Sequence, residues 1–74
     1  MSVIERVPLW DQIAEVKREI EQRKRVYARM IDNEKMTKAE AERRMLTMVA
    51  VLQTLEELRD RREAFHGERD SSAV

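Results

Sequence analysis

The tightest constraint on this chain is the spacing of its apolar residues. Leu9, Ile13, Val16, Ile20, Tyr27 and Met30 follow one another at steps of 4, 3, 4, 7 and 3, and Ala41, Met45, Met48, Leu52 and Leu55 at steps of 4, 3, 4 and 3. Steps that alternate between 3 and 4 line up along one stripe of an α-helix, and a seven-residue repeat of this kind faces a partner helix. Arg23 is the one polar interruption in the first stripe. A strand protein of similar length needs many turn residues, and this chain has one Gly and one Pro. The fold class is therefore all-α, within a single small domain.

Local signals mark the ends of the two helices. Pro8 suits a first turn, where its missing N–H costs nothing, so the first helix is expected over 8–33. Residues 1–7 show no pattern and are expected to fray. Asp32 to Met36 breaks the stripe, and Asn33 is the residue expected to take the left-handed conformation that ends a helix. Thr37-Lys38-Ala39-Glu40 then matches a capping box, with Met36 placed to staple onto Ala41. The second helix is expected over 38–66, with Leu58 and Phe65 extending its stripe. Gly67 supplies a stop, which leaves 67–74 as a disordered tail. A connector over 33–37 is short enough to make the helices antiparallel neighbours. In that hairpin Tyr27 comes near Met45, Ile20 near Leu52, Val16 near Leu55 and Ile13 near Leu58.

Composition excludes several classes of function. With no Cys there is no disulfide framework, thiol nucleophile or Cys-based zinc site. His66 is the only histidine, and its place at a helix end is explained by cation–dipole stabilisation. No Gly-rich phosphate loop and no Ser/His/Asp set occurs, so no enzyme activity, metal or cofactor is expected. No run approaches 18 apolar residues and no apolar signal core opens the chain, which favours a soluble cytoplasmic protein without a membrane partner.

The second helix carries more apolar surface than one neighbour hides. Met48, Val49, Val51, Leu52, Leu55 and Leu58 span a broad arc, and a wide arc calls for a second neighbour. With no third helix in the chain, the expected neighbour is a second copy, giving a homodimeric four-helix bundle. Its interface is expected at Met45, Met48, Val49, Val51, Leu52, Leu55, Leu58 and Trp10. Trp10 has two readings: it covers the open end of the hairpin near Phe65, or it is an exposed partner anchor. Met30, Met36, Met45 and Met48 gather near the turn, where core filling is the simpler reading and an adaptable partner groove the sharper one.

The formal charges cancel, at fifteen basic against fifteen acidic, but they are unevenly spread. Residues 17–44 hold ten basic and six acidic side chains, and both flanking segments are net acidic. Arg18, Lys24, Arg25, Arg29, Arg43 and Arg44 are the candidates for a phosphate-binding face, against the plainer reading of a solvated helix surface. Arg23 is either a buried ligand-binding group or a flank residue whose aliphatic stem covers the stripe.

Residues 15–55 carry a resemblance. Glu15-Val16-Lys17-Arg18-Glu19-Ile20, Arg23 to Met30, Lys35-Met36-Thr37, Ala39 to Arg44, and Met48 with Ala50-Val51-Leu52 form a set similar to small phage- and prophage-encoded helical proteins of uncharacterised function. Those proteins carry a Val-Tyr pair followed by Pro and a Gly-x-Met turn. Here Ala28 stands at the Pro position and Glu34 at the Gly position. The segment around Met36-Thr37 is also similar to the helix-turn-helix of short C-terminal oligomerisation-type domains. The resemblance implies an accessory protein of the host cytoplasm and assigns no catalytic residue or ligand. A non-enzymatic protein that binds a host or phage protein is thus the leading expectation, with a nucleic-acid-binding helical module as its rival.

Overall fold

A computed structural model describes the backbone of residues 7–73 and the side chains of residues 7–64. It contains two helices, α1 (Leu9–Asp32) and α2 (Lys38–Ala73), packed as an antiparallel hairpin. Pro8 lies just outside α1 as its N-cap rather than inside the first turn. Its carbonyl accepts the N–H groups of Asp11 and Gln12 at 3.0 and 3.1 Å. The Gln12 side-chain amide turns back to donate to the Val7 carbonyl at 2.9 Å. The expected frayed segment lies, except for Val7, outside the described residues.

The turn corrects one expectation in detail. Asn33 keeps an ordinary backbone (φ −89°, ψ 9°), and Glu34 takes the left-handed conformation at φ 59°. Two hydrogen bonds require this reversal: Lys35 N–H donates to the Met30 carbonyl at 2.8 Å, and Glu34 N–H to the Ile31 carbonyl at 2.9 Å. Both satisfy carbonyls that the helix end leaves unpaired, and the residue between must reverse its φ to allow it. Glu34 carries a Cβ into a region that favours glycine, so Glu34→Gly is expected to raise stability by about 0.5–1 kcal/mol. Urea denaturation followed by circular dichroism reads this directly, and an unchanged or lower midpoint contradicts it.

Half of the capping box forms. The Thr37 hydroxyl accepts the Glu40 N–H at 3.1 Å, while the return bond from Thr37 N–H to the Glu40 carboxylate is not made. The staple is present: Met36 and Ala41 are both buried and share a cluster with Tyr27, against which Met30, Ile31 and Met45 pack. The turn methionines are thus mainly core. Thr37→Ala removes the acceptor at the start of α2 and is expected to cost about 1 kcal/mol. The same denaturation measurement tests it, with Thr37→Ser as the variant that keeps the bond.

The expected stop at Gly67 and the disordered tail are also corrected, because the backbone of α2 continues as helix through Gly67 to Ala73. A single Gly inside a helix costs only about 1 kcal/mol relative to Ala, and no Pro follows to enforce an end. The expected neighbourhood of Trp10 and Phe65 lies outside the described side chains.

The seam follows the heptad. Ile13, Ile20 and Tyr27, seven residues apart, are the buried residues of α1. Tyr27 packs with Met45 at the turn end, and a Lys17–Glu56 ion pair at 3.9 Å ties the helices nearer the open end. These two contacts fix the register and place Val51 level with Glu21 and Gln22.

Candidate functional site

The hairpin covers little of itself. Among the described residues no large side chain is fully buried, and Ala41 is the only buried residue of α2. The radius of gyration is 17.5 Å, where a compact domain of this length has about 11 Å.

The residues expected at an interface fall into three groups. Met45, Met48, Leu52 and Leu55 continue the seam and are half-buried against α1. Val49 lies on the flank of α2 that carries Glu56, seven residues on. Val51 and Leu58 lie on the opposite flank, Val51 at 42% exposure and Leu58 half-buried. Trp10 is 63% exposed and borders an open groove of about 240 Å³ with Leu9, Arg59, Arg62 and Glu63. Three exposed apolar residues escaped the sequence reading: Val7, Val26 and Leu46. The available signal was the doublets Val26-Tyr27 and Met45-Leu46, in which a stripe residue has an apolar neighbour off the stripe.

The two faces of the hairpin differ in chemistry. The face spanned by Lys17–Glu56 also carries Lys24, held by Glu21 at 3.1 Å. A shallow groove of about 250 Å³ opens near its turn end, lined by Lys24, Tyr27, Ala28, Ile31, Ala41, Glu42 and Met45. The other face carries Val16, Val26 and Met30 from α1 and Val51, Leu55 and Leu58 from α2. Of its polar members Arg23, Thr47 and Thr54 are already occupied, while Arg44, seven residues before Val51, is exposed and pairs with no carboxylate among the described residues. Arg23 Nε–H donates to Glu19 at 3.3 Å, and the Thr47 and Thr54 hydroxyls donate to the Arg43 and Ala50 carbonyls, each at 3.1 Å. A hydrogen bond with the Tyr27 hydroxyl, then one with Glu19, holds the Arg23 pKa above its ordinary value. Arg23 is a half-exposed flank residue rather than a buried one.

The basic candidates are not brought to one surface. Arg18, Arg25 and Arg29 lie on the outer side of α1, and Arg18 is paired with Glu15 at 3.0 Å. Arg43, two residues after the seam residue Ala41, points outward from α2 on the far side of the hairpin. Arg44 stands on an α2 flank and Lys24 on the bridged face. The expectation that Arg43 and Arg44 join the α1 basic face is therefore corrected, because an antiparallel pair turns the outer sides of its helices away from each other. Among the described residues no cluster of His, Cys, Asp or Glu is arranged to hold a metal, and no helix is long and apolar enough to cross a membrane.

Comparison with protein-family models, curated proteins and solved structures finds no match.

Proposed function

We propose that this chain is a non-catalytic interaction protein whose working form is a homodimer, two hairpins covering each other's apolar flank to make a four-helix bundle that binds a further protein. The observation that carries the reading is the apolar surface the hairpin leaves uncovered, with Val26 at 45% and Val51 at 42% exposure on one face. A helix whose apolar residues are half-covered by one neighbour is stabilised by a second. The resemblance to phage-encoded accessory proteins agrees with a binding role. Light scattering after size exclusion tests the dimer: about twice 8.8 kDa at micromolar concentration supports it, and a strict monomer removes it.

A second reading has one observation in its favour. Arg25 and Arg29 are exposed on the outer side of α1, and neither pairs with a carboxylate among the described residues. That side stays open in a dimer, so it could meet phosphates. Retardation of duplex DNA or single-stranded RNA at low salt, lost in Arg25→Glu/Arg29→Glu, supports it; no retardation excludes it.

A further inference from the structure

We infer that the second copy lies antiparallel on the face opposite the Lys17–Glu56 bridge, its turn against this chain's open end, with the two-fold axis passing beside Val51. The inference rests on the homodimer reading and adds to it a face, a direction and a centre.

The face follows from what each side of the hairpin offers. The bridged side carries two ion pairs, whose charges a covering helix would strip of water. The other side presents Val16, Val26, Met30, Val51 and Leu58, with one ion pair, Arg23–Glu19, and one unpaired cation, Arg44, to be covered. Thr47 and Thr54 turn their hydroxyls into their own helix, so they ask nothing of a partner.

The direction follows from charge. Residues 23–50, which form the turn half, hold eight basic and four acidic side chains, net +4. Residues 7–22 and 51–64, the open half, hold five basic and eight acidic, net −3. A parallel pair sets like halves together, and an antiparallel pair sets each half against its complement. Screening leaves this a modest contribution, but it selects between two arrangements that bury similar apolar area.

The centre follows from register. A two-fold interface is self-complementary, so the apolar residues must recur about the axis. Val51 stands level with Glu21 and Gln22. Leu58 and Val16 lie toward the open end from that level, and Val26 and Met30 toward the turn. Rotation about Val51 lays each helix on its own copy: Val16 of one chain comes over Val26 of the other, Val51 over its own copy, and Leu58 at the level of the partner's Arg44.

The chain has no cysteine, so single cysteines report unambiguously. Val51→Cys, Leu46→Cys and Asn33→Cys are oxidised mildly in the full chain at a concentration where light scattering shows a dimer. Val51→Cys is expected to convert mostly to a disulfide-linked pair, with Leu46→Cys and Asn33→Cys remaining largely unlinked. Linkage through Asn33 shows turns side by side and overturns the direction. Preferential linkage through Leu46, or a Val51→Cys dimer that does not link, overturns the face. Spin labels on Asn33→Cys leave Val51 intact and read direction separately. The antiparallel arrangement separates them by about 35 Å, from the 1.5 Å rise per residue, and a parallel one by under about 20 Å, two helix spacings. A monomeric parent chain is the distinct result that removes the underlying dimer reading and this inference with it.

Discussion

Val51→Asp is expected to separate the two chains. In a lone hairpin the position is 42% exposed, so a carboxylate there can reach water and the change in hairpin stability stays small. In the proposed dimer the same carboxylate is buried at the centre of the interface, facing its own copy, with no cation assigned to it. An uncompensated buried charge costs about 3–5 kcal/mol, so the dissociation constant is expected to rise by about a thousandfold. Sedimentation or light scattering across a dilution series measures this. Gln53→Asp is the matched control, since Gln53 is exposed on the flank of α2 opposite Val51 and its substitution leaves the dimer intact. Equal behaviour of the two variants contradicts the placement of the interface.

Ile20→Ala is expected to have the largest effect on folding. Ile20 is 7% exposed, the middle of the three buried residues that α1 lays along the seam. Truncating a buried isoleucine costs about 2–5 kcal/mol through lost burial and the cavity left behind. A chain of this length holds only roughly 4–11 kcal/mol in total. The midpoint of thermal unfolding is expected to fall by about 15 °C or more. Leu46→Ala removes a side chain of equal carbon count at 68% exposure and should shift the midpoint little. A hairpin in which the two substitutions cost the same is not held by the seam described above.

The two stripes were legible because helical periodicity is a local property. Residues 3, 4 and 7 apart share a face whatever the rest of the chain does, so Ile13, Ile20 and Tyr27 could be assigned to the core before any packing was known. The start of α2 was legible for a similar reason, since Thr37 reaches a donor only three residues away. The left-handed position was not. Glutamate has no preference for positive φ, and Glu34 takes it only because the Met30 and Ile31 carbonyls are satisfied by that reversal. Gly67 misled because glycine is a preference for stopping, and nothing after it compels a stop.

Two amphipathic helices, a short turn between them and an excess of apolar residues on the second follow from residue order alone. Which flank that excess falls on depends on how the two helices pack. Val49 and Val51 are two residues apart and look alike in a list, yet the Lys17–Glu56 contact sends one to a charged face and the other to an apolar one. The same packing scattered the arginines that composition had grouped. Which residues share a helix stripe is set by rise and twist along one chain; which stripes share a surface is set by register and handedness between two.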